Sequence, residues 1–419
     1  MNHLALAPLA SFLGGSGPAQ IPLCMFVVFV SAKLMAEMLE RFNQPGIVGE
    51  ILAGIVIGPS MLGLIAPSEF LTALSGLGAM FLLFRVGLEV RSSELMKVGG
   101  TATLVACSGV VVPFLMGWGI LILWGSPSNE AIFVGASMVA TSVGITAQVL
   151  SAKGLLHAAS SKIILAAAVI DDVLGLLVLA VVSSLTHGKL NILELALTAT
   201  FAVAFTVIVA KWGTHAMGRV VPHVDRNLRV GEAQFALSMS LLFGLCLAAV
   251  YIGVAAIVGA FLAGLALAES TGTRVRDLAH GVTELLVPFF LVGIGLNVSL
   301  AAFSSPRNAL LAVVILVAAI VSKFIGCGLG ALGLGKADAL RIGVGMIPRG
   351  EVGMVVAQIG LGFGIISQNV YGVVVFMSVA TTIVAPPLIK VTFRGLMNGK
   401  QSGKLRPSSE GSDPIICNL

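Results

Sequence analysis

Apolar residues run along this chain in blocks of about 20, the length needed to cross the hydrocarbon core of a bilayer, with short polar or charged interruptions between them. These windows predict about thirteen spans, over residues 20–40, 45–65, 71–90, 98–124, 130–150, 160–185, 191–211, 232–251, 253–269, 279–300, 307–333, 338–366 and 369–390. The expected fold is an all-α polytopic membrane protein, because a helix satisfies its own backbone groups where lipid cannot.

Two of the spans carry helix-breaking signals. The fifth contains the polar run Thr141, Ser142, Gly144, Thr146 and Gln148, and the twelfth contains Pro348, Arg349, Gly350 and Glu351 in mid-stretch. Proline lacks the N–H that an interior turn donates, and glycine weakens a helix through its backbone freedom.

The blocks also repeat at an offset of about 210 residues. FLLFRVGLEV (81–90) answers FFLVGIGLNV (289–298), GEILAGIVIG (49–58) answers GAFLAGLALA (259–268), and GASMVATSVGITAQ (135–148) answers GVGMIPRGEVGMVVAQ (343–358). The matched spans are an odd number apart, so the two halves enter the membrane in opposite directions. Secondary transporters use such inverted repeats, with broken helices facing each other where an ion binds.

Composition agrees with this picture. Of 419 residues, 57% are hydrophobic and 10% charged, which excludes an ordinary soluble domain. The net charge of +5 matters less than its placement. With the N-terminus outside, the cytoplasmic side collects Arg41, Arg91, Lys97, Lys153, Lys211, Arg274, Lys336 and Lys390 among others, and the opposite side keeps Lys189 and Arg307. Nothing argues for nucleic acid as a partner. Five scattered cysteines show no metal-ligand spacing. The first basic residue is Lys33, so the first apolar stretch is expected to remain as a span, not to be removed as a signal peptide.

Few charges remain deep inside spans. Asp171 and Asp172 stand side by side in IILAAAVIDDVLGLLVLAVV, where each carboxylate costs about 2.5–3.5 kcal/mol on insertion scales. Lys323 lies mid-way along the eleventh span and needs a partner, for which an aspartate of the sixth span is the natural candidate. Consecutive helical residues point about 100° apart, so one aspartate can hold the lysine while the other faces an aqueous cavity. A carboxylate there takes either a proton or a small cation on the same oxygens, and that competition produces exchange. Lys33 and Glu37 are expected to pair along one helix, and Glu50 to lie near an interface. Arg349 either pairs with Glu351 or compensates half-helix ends. Arg85 has no evident partner in sequence, and the six histidines read as solvated.

The set GEILAGIVIGPSMLG, FRVGLEV, ATSVGITAQVL, AAAVIDDVLG, GAFLAGLALAES, SKFIGCGLG and PRGEVGMVVAQIG resembles the second family of monovalent cation:proton antiporters, especially the NapA-type sodium/proton exchangers. The resemblance covers residues from about 20 to 390. It implies two inverted six-helix repeats with crossed broken helices, joined by a linker span over 191–211. Core spans over 98–185 and 307–390 would move past dimerisation spans over 20–90 and 232–300, flanked by an extracytoplasmic segment (1–19) and a cytoplasmic tail (391–419). It further implies Asp172 as the acid that coordinates the cation and carries the proton, Asp171 as the partner of Lys323, and Thr141, Ser142, Arg349 and Glu351 at the crossing. The implied activity is an electrogenic exchange of Na⁺, or Li⁺ or K⁺, for H⁺, without enzymatic chemistry or a cofactor, in a homodimer of a bacterial cytoplasmic membrane. Arg85 departs from the family pattern, which usually has an apolar or small residue there. The alternatives are a K⁺/H⁺ exchanger and a sodium-coupled organic-anion symporter of related fold; the latter would not need paired acids with a buried lysine.

Overall fold

Helices form where the apolar blocks lie, and polar turn residues or glycine end them. A computed structural model describes residues 20–42, 44–91, 97–187, 192–227, 232–298, 303 and 305–396, so residues 1–19 and most of the tail lie outside it. In chain order the helices are α1 (Gln20–Arg41), α2 (Gly46–Ile57), α3 (Glu69–Glu89), α4 (Gly99–Trp124), α5 (Ser128–Ser137), α6 (Val143–Ala152), α7 (Ala159–His187) and α8 (Ile192–Asn227). They continue with α9 (Ala233–Ile252), α10 (Ala256–Leu267), α11 (Thr273–Leu296), α12 (Pro306–Gly330), α13 (Lys336–Gly345), α14 (Glu351–Gly362) and α15 (Gln368–Thr392).

Eight described helices are long and apolar enough to cross a membrane. Local chemistry sets several boundaries. The hydroxyls of Ser68, Ser305 and Ser367 accept first-turn backbone N–H groups of α3, α12 and α15, and Gly125 and Gly253 close α4 and α9 in the left-handed conformation. The predicted fifth and twelfth spans are each two half-helices, α5 with α6 and α13 with α14, interrupted at residues 138–142 and 346–350. The predicted second and ninth spans are shorter than expected, with helices of 12 residues each. The helix over the predicted linker span, α8, is longer than that span, at 36 residues.

Glycines let these helices approach closely, and they do so in matched pairs that display the inverted repeat. Gly54 of α2 meets the backbone of α11, where an added Cβ would lie 3.0 Å from the Gly295 Cα. Its repeat mate, Gly264 of α10, meets α3, where a Cβ would lie 2.9 Å from the Gly87 Cα. Gly87 and Gly295 are themselves repeat mates. In the other half of the repeat, Gly135 packs on the carbonyl of Phe114, and Gly343 on the carbonyl of Phe324, each with a would-be Cβ at 2.7 Å. The same backbone contact thus occurs twice, at equivalent positions.

Two groups of helices result. The first packs α1 on α2 and α3 on α10 and α11; the second packs α4 on α12, with α5, α7, α13, α14 and α15 around them. The long α8 touches α7 on one side and α9 and α10 on the other. The groups meet where α6 lies on α3 and where α15 lies on α2.

Two sequence expectations about charges change. Lys33 pairs across helices with Glu50 at 2.9 Å, while Glu37 binds Arg41 at 2.9 Å along α1. A buried Glu50, one turn into α2, offers the Lys33 ammonium a less hydrated partner than Glu37 does. Arg85 also has partners: Glu284 of α11 at 3.4 Å and Glu89 at 3.6 Å. Sequence reading missed the first because the helices that supply it are about 200 residues apart in sequence.

Candidate ion site at the helix crossing

The two interruptions face each other through their backbones. The Ser142 N–H donates to the Pro348 carbonyl at 2.8 Å, joining one break to the other. Gly350 sits so close to Ser142 that a Cβ would lie 2.8 Å from the serine Cβ, so glycine is required there. On the neighbouring turn, the Thr146 hydroxyl donates to the Gly345 carbonyl at 2.6 Å and caps the end of α13. Each break frees carbonyls at the C-terminal end of one half-helix and N–H groups at the start of the next, so fixed partial charges of both signs meet here.

Two buried cations serve the C-terminal end of α5. The Lys323 ammonium donates to the Val139 carbonyl at 2.7 Å, to the Gly109 carbonyl at 2.8 Å and to Asp171 at 2.9 Å. Three N–H groups thus find three partners. Lys323 and Asp171 are both 0% exposed, so their attraction is little screened by water. The Arg349 guanidinium donates to Val139 at 3.0 Å, to Ala140 at 3.4 Å and to Ala319 of α12 at 3.1 Å. Of the two readings open for Arg349 in sequence, these contacts match compensation of a half-helix end.

Asp172 is buried next to Asp171 on α7. Thr141 is buried between the half-helices, and its hydroxyl has no hydrogen-bond partner among the described residues. Glu351 opens α14, and its side chain lies outside the described residues. Sequence reasoning missed three residues of α15. The Thr381 hydroxyl accepts the Arg349 N–H at 3.1 Å, the Thr382 hydroxyl donates to the Arg349 carbonyl at 2.8 Å, and both hydroxyls donate to the Ser378 carbonyl at 2.9 Å. The available signal was a cluster of hydroxyls inside an otherwise apolar span.

The crossing thus places a buried lysine held by one acid, and a second buried acid next to that one in sequence, close to the break after α5. Residues 26–395 match the family described as sodium/hydrogen exchanger, transmembrane. The chain belongs to that family. As an exchanger it is a transporter, not an enzyme, and an integral membrane protein. Among its relatives is the Na(+)/H(+)-K(+) antiporter GerN of Bacillus cereus, 33% identical over 88% of this chain and 95% of that protein. Another is the high-affinity Na(+)/H(+) antiporter NhaS3 of Synechocystis, 33% identical over 94% of each chain. The exchanger shares its fold with the sodium proton antiporter MjNhaP1 from Methanocaldococcus jannaschii, at a TM-score of 0.66 and 16% identity, over 94% of this chain and 99% of the other.

Proposed function

We propose that this exchanger moves Na⁺ against H⁺, and that Asp172 is the group for which the two compete. The observation that carries this reading is the fully buried Lys323–Asp171 pair with a second buried acid at its side. Asp171 binds the ammonium, and Asp172, buried beside it, is the acid to which we assign the alternation between proton and metal ion. Thr141 and Ser142 contribute oxygens to the ion's surroundings, and Arg349 and Glu351 adjust the charge at the crossing. If sodium entry displaces the proton of Asp172, and the ammonium of Lys323 gives up its own proton on losing Asp171, two protons leave per sodium bound and the cycle moves net charge. Li⁺ and K⁺ are further candidates for cargo, and a relative named for K⁺ as well as Na⁺ supports including them.

The movement follows the division into two helix groups. The group built on α4 and α12 carries the site, in elevator fashion, past the group of α1–α3 and α9–α11, which forms a homodimer. The N-terminus lies outside and the C-terminus in the cytoplasm of a bacterial inner membrane, as the lysines and arginines direct. Purified protein in proteoliposomes with an imposed pH gradient tests the exchange. NaCl, LiCl or KCl should dissipate the gradient and choline chloride should not; equal traces for all four salts would overturn the reading.

A further inference from the structure

Thr381 and Thr382 occupy, in the second repeat, the positions that Asp171 and Asp172 occupy in the first. VIDDVLG (169–175) and VATTIVA (379–385) align at the same offset of about 210 that relates Gly54 to Gly264 and Phe114 to Phe324. The two buried cations at the crossing follow the same rule. Arg349 answers Thr141 across the repeat, and Lys323 answers Pro113. At the crossing, the first repeat therefore supplies the two acids and the second the two cations, and each of these four residues faces a neutral mate.

The threonine pair holds the backbone of Arg349 from both sides. Its N–H is bound by Thr381 and its carbonyl by Thr382. The flanking residues cannot substitute for this hold, because Pro348 has no N–H and Gly350 no side chain. The Thr382 hydroxyl has one proton for two carbonyls, Arg349 at 2.8 Å and Ser378 at 2.9 Å, so it alternates between them. All four residues are buried, where a backbone group that loses its partner finds no water to replace it.

We propose that Thr381 and Thr382 are positioning residues for the exchange. They fix Arg349, whose guanidinium shares the Val139 carbonyl with Lys323, and through that carbonyl they set how firmly Lys323 holds Asp171. The role in exchange rests on the function proposed above, whereas the clamp itself is a property of the fold. Two readouts keep the two apart.

The first readout is transport. Thr382→Val keeps the shape and removes the hydroxyl, and Thr382→Ser keeps the hydroxyl. Valine should raise the sodium concentration for half-maximal exchange about tenfold, or displace the pH profile, while serine stays within about twofold of the parent. The second readout is backbone hydrogen exchange of the peptide spanning 346–356, read by mass spectrometry in detergent. It should speed up in the valine variant and stay at the parental rate in the serine variant, whatever ion is carried. A valine variant with parental half-saturation, pH profile and exchange protection would overturn the proposal, as would equal defects in valine and serine. If Thr382→Val does not fold, Thr381→Val and Thr381→Ser carry the same expectations. If the parent moves no cation but the protection pattern holds, the proposed function fails and the clamp stands.

Discussion

Lys323 and Arg349 donate to one and the same carbonyl, that of Val139, at 2.7 and 3.0 Å. Like charges repel, so two cations on a single oxygen persist only if their surroundings are negative. The C-terminal end of α5 supplies part of that, since unpaired carbonyls there carry about half an elementary negative charge. Asp171 supplies the rest for Lys323, and the carbonyls of Ala140 and Ala319 supply it for Arg349. The crossing is therefore a balanced set in which removal of any member is felt by the others.

That balance makes the Lys323–Asp171 pair more costly to halve than to remove. Lys323→Met leaves a buried carboxylate without its cation, a change worth about 3–5 kcal/mol for a buried pair. The double variant Lys323→Met/Asp171→Asn should recover a large part of this loss in melting temperature in detergent. Simple additivity of the two single variants would show that the residues do not act as a pair. In proteoliposomes on a solid-supported membrane, Lys323→Gln should also reduce the charge moved per sodium jump or change its pH dependence.

Asp172→Asn should abolish cation-driven proton movement while leaving the fold intact. An amide carries no proton to release and no charge for a bare cation. Insertion should not suffer, since the substitution removes a charge from the membrane. A purified variant with a parental melting temperature and no response to NaCl is the expected result. Gradient dissipation at the parental rate would remove Asp172 from the mechanism.

Much of this was legible in the sequence because a membrane allows few solutions. Apolar length located the helices, Pro348 and the Thr141–Ser142 run marked the breaks, and a lone mid-span lysine required an acid such as Asp171. What could not be read were contacts that depend on which helices become neighbours. Lys33 had Glu37 one turn away in sequence, yet it pairs with Glu50 because α2 folds back onto α1 and buries that carboxylate. Arg85 found Glu284 through the packing of α3 on α11. Thr381 and Thr382 passed as ordinary small residues because hydroxyls in a membrane helix most often bond back to their own turn, and their second bonds to Arg349 exist only in three dimensions.

The glycine pairs predict a contrast between positions of equal helix propensity. Gly264 has no room for a Cβ against the backbone of Phe84 and Gly87, so Gly264→Ala should push α10 from α3 and lower the melting temperature by several degrees. Gly244, on α9, has nothing within 4 Å of its would-be Cβ. Gly244→Ala should be neutral or stabilising by up to about 1 kcal/mol, the ordinary helical preference for alanine. Equal responses of the two would mean that the close approach carries no energy.

Arg349 offers the last contrast, between a buried guanidinium and an exposed one. Its three donor contacts reach two carbonyls of the break after α5 and one of α12, in a fork that lysine cannot reproduce. Arg349→Met leaves the Ala140 carbonyl without that donor, while the Ala319 carbonyl keeps the Ser322 hydroxyl, and should cost about 1–3 kcal/mol, the range for one unsatisfied buried group. Arg349→Lys restores the charge and one contact, so its melting temperature should fall between those of the methionine variant and the parent. Arg274 also binds a carboxylate closely, Glu232 at 2.8 Å, but both side chains are largely exposed. Arg274→Gln should leave the melting temperature unchanged, because water and salt already screen that pair. A methionine variant at position 349 as stable as the parent would show that the end of α5 needs no cation beyond Lys323.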